Sequence, residues 1–169
     1  FDNFTGVCEF VNKAEIFDAV RNGIMDSGII IVGYEKDESC FAACSTGEDF
    51  KKHIDVVNDE FLVACLDLGH AEMEGSGNGA VNMIHTLGHR LQALHIHDND
   101  RIHDDHQIPF SMNIDFVPIV KALKDIDYKG WFTLEADAFM KTYNKDNAFE
   151  GVKKLQESAR RLADEFESL

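Results

Sequence analysis

The chain has 169 residues, with 16 basic against 31 acidic side chains, a net charge of −15 and a pI near 4.7. That balance excludes a general nucleic-acid binder, which needs a basic face to neutralise phosphates, and an anionic membrane surface as partner. No apolar run reaches the roughly 20 residues that span a bilayer, no signal peptide is read at the start, and a 44% hydrophobic composition with two prolines reads as one folded domain over residues 1–169.

Residues 13–25 place Ile16, Phe17, Val20 and Ile24 at helical spacing, and Ile29–Val32 follows as a short apolar run that reads as a buried strand. Ser45 and Glu48 have the spacing of a capping box, ahead of a helical stripe of Phe50, Ile54 and Val57. A second strand is expected over Phe61–Leu68. Val81, Ile84 and Leu87 then line a helix that Gly88 can end. A third strand is expected over Leu91–Ile96. Asp115 can cap a helix that has Pro118 in its first turn and Ile119, Val120 and Leu123 facing inward. Trp131–Leu134 reads as a fourth strand, and Leu155, Ala159, Leu162 and Phe166 mark a last helix.

The strands recur every 30 to 40 residues or so, the size of one βα unit. About four such units in series predict an α/β fold with a parallel sheet, either open and doubly wound or part of a (β/α)8 barrel. Neither GxGxxG nor GxxxxGK[ST] follows the first strand, which leaves a nucleotide-binding fold with little support. A complete barrel takes about 250 residues, so this chain is expected to supply roughly half of one. It opens at Phe1 rather than Met, which predicts processing or a longer parent chain. Cys8, Cys40, Cys44 and Cys65 are irregularly spaced with no CxxC pair, the pattern of reduced thiols in a cytoplasmic protein. Cys65, inside an apolar run, is expected to act as a small buried hydrophobe.

Seven of the eight histidines fall between His70 and His106. The acidic residues among them lie just past strand ends, the edge of a parallel sheet that carries chemistry. Asp67, in Asp67-Leu68-Gly69-His70, closes a buried run where an unpaired carboxylate is costly. It either meets a metal or substrate or caps the next helix. His95 and His97 alternate with Ile96 in His95-Ile96-His97-Asp98-Asn99-Asp100, so both can point to one side of their strand. His103-Asp104-Asp105-His106 reads as a solvated loop above the same strand end. Glu135, in Leu134-Glu135-Ala136-Asp137, closes the fourth strand, as a functional carboxylate or as half of a salt bridge. One Asp, one or two His and one Glu from consecutive strand ends form an N/O donor set suited to manganese, zinc, cobalt or magnesium. No GxSxG elbow is present.

These groups together resemble the sugar phosphate isomerase/epimerase family, whose members share the xylose isomerase-like barrel with endonuclease IV. The resemblance runs from about Ile16 to Phe139. It is carried by Ala43-Cys44-Ser45, Cys65-Leu66-Asp67-Leu68-Gly69-His70-Ala71, Leu94-His95-Ile96-His97-Asp98-Asn99-Asp100, His106 with Pro109 and Ile114-Asp115, and Leu134-Glu135-Ala136-Asp137. It implies a TIM barrel of which this chain forms the C-terminal half, with a divalent metal held at the mouth by Asp67, His95 and Glu135. It also implies catalytic roles for Glu135 and His70, the latter beside the metal and touching substrate. Asp104 and His106 match a D-x-H element that supplies further metal ligands in the endonuclease branch. In the sugar branch that loop, with His97, is expected on the substrate.

The implied chemistry is proton abstraction beside a ketose carbonyl through an enediolate, with the ion as Lewis acid and carboxylates moving the proton. The family's epimerases use two metal-bound glutamates, and Glu135 matches one. At the place of the other, about six residues past Gly28, stands Tyr34, with Glu35 one position later. Strand alternation would aim Glu35 the wrong way unless the strand ends first. Met112 stands in place of a loop glycine after Pro109.

The leading expectation is a metal-dependent isomerase or epimerase of a small sugar, sugar phosphate or related polyol. An endonuclease at damaged DNA shares the fold, but the charge opposes it, and Lys51-Lys52 and Arg160-Arg161 are only isolated basic pairs. A non-catalytic remnant is a third reading, motivated by Tyr34 and by the half length. A half barrel leaves open edges, so the missing half or a second copy of the chain is the expected partner.

Overall fold

In a computed structural model the protein is described at residues 30–33, 46–59, 61–74 and 79–169. Three parallel strands, β1 (Ile30–Gly33), β2 (Val63–Asp67) and β3 (Leu91–His95), lie side by side in chain order. Between and after them come α1 (Gly47–Val57), the short α2 (Leu68–Ala71), α3 (Gly79–Leu87), α4 (Phe116–Asp125), the short α5 (Asp137–Met140) and α6 (Ala148–Ser168). The long helices pack in sequence, α1 on α3, α3 on α4 and α4 on α6. Parallel strands in chain order with a sequential layer of helices make an arc of a (β/α)8 barrel. The fold is α/β, a partial barrel, in line with the sequence pattern.

Side-chain alternation divides each strand between two surfaces. Ala64 and Leu66 of β2 and Leu94 of β3 turn toward the helices, joining Phe50, Ile54, Met83, Ile84, Leu87, Phe116, Ile119 and Leu123 in one core. Burying an aliphatic or aromatic side chain of this kind is worth roughly 1.5–3 kcal/mol. The opposite surface carries Cys65, Asp67 and His95, with Asp67 paired directly across from His95.

The helix ends follow local chemistry. Asp115 caps α4, its carboxylate accepting the Val117 N–H at 3.1 Å, and α3 stops at Leu87 before Gly88, whose φ is +54°. The cap of α1 falls one residue later than the Ser45–Glu48 spacing predicts. Thr46 Oγ1 accepts the Asp49 N–H at 3.1 Å, because the helix starts at Gly47 and Asp49 is then its third residue.

The strand bounds also change. β2 begins at Val63 rather than Phe61, and it stops at Asp67 because Leu68 already opens α2. β3 ends at His95, and Ile96 continues it only as a single parallel bridge to Leu134. The expected fourth strand, Trp131–Leu134, is reduced to that bridge, made by Ile96 N–H to Thr133 and Glu135 N–H to Ile96, both at 2.9 Å. Its apolar residues serve other ends. Phe132 packs edge-on against Tyr128 and Phe166, and Trp131 is 86% exposed. The helix expected over 13–25, together with Gly28, Tyr34, Glu35, Cys8, Cys40, Cys44 and Ser45, lies outside the described residues.

Candidate metal and substrate site

The end of β2 sets the first side chain. Asp67 is fully buried and caps α2, its Oδ1 accepting the His70 N–H at 2.9 Å. Its Oδ2 accepts no hydrogen bond among the described residues, although His70 Nδ1 approaches to 3.2 Å at a poor angle. One oxygen therefore caps α2 while the other lies beside the His70 ring. Across from it, His95 Nδ1 stands 2.8 Å from Glu135 Oε2. The bridge at Ile96 delivers Glu135 there, through its own N–H. One donor atom each from Asp67, His95 and Glu135 lies within 4.8 Å of the others.

A second cluster adjoins the first. His70, His97, Asp104 and His106 each place a donor atom within the same 4.8 Å limit. Asp104 Oδ1 lies 3.0 Å from both His70 Nε2 and His106 Nε2. The loop reading of residues 103–106 is right, but the loop folds back over the strand end. Asp98 and Gln107 form an antiparallel bridge, with N–H to O distances of 2.8 and 2.9 Å. His106 Nδ1 then meets the Glu135 carbonyl at 2.8 Å, and its ring stacks on His97 with centroids 4.0 Å apart.

His95 and His97 do share a side, as alternation predicts, yet each serves a different cluster, with Asp67 between them. His97 is fully buried, with Nε2 3.2 Å from Asp67 Oδ1. The remaining members of the histidine-rich stretch stand apart. His103 pairs with Asp100 at 2.7 Å and His85 with Asp125 at 3.4 Å, both exposed, and His89 is exposed beside α3. Asp98, also fully buried, is committed to backbone. It accepts N–H groups of Asn99, Ser111, Met112 and Ile114 at 2.8–3.1 Å. Met112, where a loop glycine was expected, is one of the residues so held.

Two contributions escape the sequence reading. Cys65 is a free, buried thiol, as expected of a small hydrophobe, but its sulfur also touches the His95 imidazole. The signal was the two-residue step from Cys65 to Asp67, which puts both on one strand face. Asn99 donates to the Gly69 carbonyl at 2.9 Å and so ties α2 to the loop. No local pattern reveals a contact across thirty positions.

The electrostatics follow from these contacts. Burial alone would raise the Asp67 carboxyl, but His70 and His97 outweigh it and hold the group below the ordinary carboxylate range. Burial would lower His70, yet Asp67 and Asp104 push it up to about 9. His95 is pushed up to about 10 by the Cys65 sulfur and by Glu135. The site thus pairs buried negative charge with imidazoles. A buried carboxylate that has one oxygen without a hydrogen bond and groups with an imidazole and a second carboxylate suits a divalent cation of the manganese, zinc, cobalt or magnesium group.

Fold and site together define an α/β barrel protein with its polar donors gathered at the carboxyl ends of the strands. Residues 11–165 match the family model of the xylose isomerase-like TIM barrel, and the chain belongs to that family. Among solved structures, D-allulose 3-epimerase from Methylomonas sp. aligns with a TM-score of 0.61 at 22% identity, over 79% of this chain and 48% of that one. A D-psicose 3-epimerase aligns with a TM-score of 0.59 at 17% identity, over 91% and 56%. At these identities the likeness is one of fold. Of the curated relatives, uncharacterized protein y4fM of Sinorhizobium fredii is 39% identical over 72 residues, covering 43% of this chain and 22% of that protein. Uncharacterized protein MJ1311 of Methanocaldococcus jannaschii is 28% identical over 90 residues, covering 53% and 31%. The chain spans about half the length of the epimerases it resembles and less than a third of these curated relatives.

Proposed function

We propose that this chain is the C-terminal portion of a metal-dependent sugar or sugar phosphate isomerase or epimerase, with Asp67, His95 and Glu135 as metal ligands. One observation carries the reading. Donor atoms from two neighbouring strand ends and from the residue after the Ile96–Leu134 bridge converge within 4.8 Å, and one belongs to a buried carboxylate with an oxygen that accepts no hydrogen bond. Asp67, His95 and Glu135 would hold a manganese-, zinc-, cobalt- or magnesium-class ion, which would supply Lewis-acid polarisation of a ketose carbonyl.

The chain's own residues do the rest. Glu135, with a side chain 40% exposed, is the carboxylate open to substrate and takes the proton from the carbon beside the carbonyl. His70 is protonated at neutral pH and holds its charge next to Asp104 at the rim. With Asp104 and His106 it binds substrate hydroxyl or phosphate oxygens and steadies the charge that develops on oxygen. The other half of the barrel, or a second copy of the chain, closes the edge beside exposed Trp131. The free Cys65 thiol accords with a reducing, cytoplasmic setting.

The test is proton exchange. Incubated with manganese and a panel of ketoses in deuterated water, the protein is expected to place deuterium on the carbon next to the carbonyl of one of them. Glu135→Gln should slow that exchange by about 10²–10⁴-fold, the range for a lost general base. A manganese-loaded protein silent on the whole panel would overturn the reading. Among the described residues the Arg160–Arg161 pair offers DNA repair no free basic patch. Arg160 is engaged by Asp164 and Glu167, and Arg161 by Glu165.

A further inference from the structure

We infer that His97 is a positioning residue that dedicates one oxygen of Asp67 to the protein and leaves the other for the cation. This rests on the reading of Asp67 as a metal ligand. It replaces the expectation that His97 touches substrate.

His97 sits two residues past the end of β3, at the barrel mouth, yet its side chain is 0% exposed. Three neighbours enclose it. Its ring stacks on His106 with 7° between the planes, and it meets His70 edge-on with centroids 4.9 Å apart. On the third side lies Gly69, where an added Cβ would fall 2.2 Å from His97 Cε1 and 2.4 Å from Nε2. Any larger residue at 69 must push the ring away. Gly69 in turn is pinned through its carbonyl by Asn99.

Within this enclosure the ring has two carboxylate neighbours on its Nε2 side, Asp104 Oδ1 at 4.0 Å and, closer, Asp67. Nε2 lies 3.2 Å from Asp67 Oδ1, meeting it obliquely, so the contact is as much electrostatic as hydrogen bonding. Nδ1 has no hydrogen-bond partner among the described residues. A neutral imidazole carries one proton, and only on Nε2 does that proton face an acceptor. Asp67 Oδ1 therefore faces two donors, the His70 backbone N–H at 2.9 Å and the His97 ring. Oδ2 accepts no hydrogen bond. Among the described residues Oδ2 has only the His70 ring nearby, with Nδ1 at 3.2 Å and outside hydrogen-bond geometry. With Oδ1 engaged from behind, Oδ2 is the oxygen left to serve the group that Asp67 forms with His95 and Glu135. A partner that orients a ligand in this way is worth roughly 10–100-fold in metal affinity.

The experiment measures manganese binding to the purified protein by calorimetry and by the electron paramagnetic resonance of free ion, so that no turnover is needed. His97→Leu keeps the bulk and removes the N–H, and is expected to weaken binding by about 10–100-fold. His97→Gln returns a donor to the same place and should recover most of the loss. Gly69→Ala leaves His97 intact but displaces it, and should weaken binding to a similar extent. In the double variant Gly69→Ala/His97→Ala the two losses should not add, because the vacated ring space accepts the methyl group. A wild-type protein that binds no manganese sinks the metal-ligand reading itself. Wild-type binding with equal affinity in His97→Leu overturns only the positioning role, as does a His97→Gln variant as weak as His97→Leu. Should His97→Leu fail to fold, unchanged affinity in both His97→Gln and Gly69→Ala overturns it as well.

Discussion

Asp67 and Asp98 are both fully buried and both stand at the carboxyl ends of strands, yet their surroundings give them opposite uses. Asp98 is surrounded by backbone, and four N–H groups satisfy its two oxygens. Asp67 takes one backbone N–H and two imidazole contacts, its Oδ2 accepts no hydrogen bond, and the carboxylate groups with His95 and Glu135. A buried charge neutralised by N–H dipoles is finished and serves the architecture. A buried charge left incomplete next to other donors is ready for a cation.

The contrast breaks most visibly at Asp98. Asp98→Ala strands four buried or half-buried N–H groups, and is expected to cost on the order of 3–5 kcal/mol in chemical denaturation. The amides of Ser111, Met112 and Ile114 should lose their protection from hydrogen exchange. A cost below about 1 kcal/mol would place Asp98 outside the architecture.

Asp67→Asn should behave the other way round. Asparagine still caps α2, so the stability loss is expected to be only about 1–2 kcal/mol, from the forfeited imidazole contacts. Manganese affinity should fall by more than the roughly 10–100-fold typical of an outer partner. A variant that keeps its manganese would detach Asp67 from the site.

A third aspartate sharpens the comparison from the solvent side. Asp100 is exposed, and the His103 side chain and the His103 and Ile102 N–H groups hold its carboxyl down to about 2. His103 is raised by the same contact. Because the Asp100 value is depressed, its contribution is complete above the ordinary 3.8 and is lost as pH falls through about 2. Because His103 is raised, its contribution is complete below 6.5 and fades as pH climbs past its elevated value. The 100–103 turn should therefore be tightest between these limits, a small effect read from NMR titration of its side chains. An Asp100 midpoint near 4 would show that the pair does not form.

The parallel βα order, the apolar stripes that face the helices, and the placing of Asp67 and His95 at the ends of neighbouring strands were legible in the residues. They are local, because hydrophobic periodicity and turn chemistry act over a few positions. The fourth strand was not legible as it turned out. Trp131 and Phe132 have strand-like composition, but Phe132 packs on Tyr128 and Phe166 and Trp131 is left exposed in place of a ladder. Nor was the split among the charged groups. Asp98, Asp100 and Asp104 occupy one short run, and nothing in that run says that the first binds backbone, the second its own turn and the third three imidazoles.

What the chain determined by itself, then, was which residues end the strands and which side of a strand each can face. Those properties repeat with the period of the backbone and need no partner. Which oxygen is satisfied, which imidazole is enclosed, and why residue 69 must be glycine were decided only when α2 and the loop after β3 closed on one another. Hydrogen-bond completion and steric exclusion depend on atoms remote in sequence and near in space.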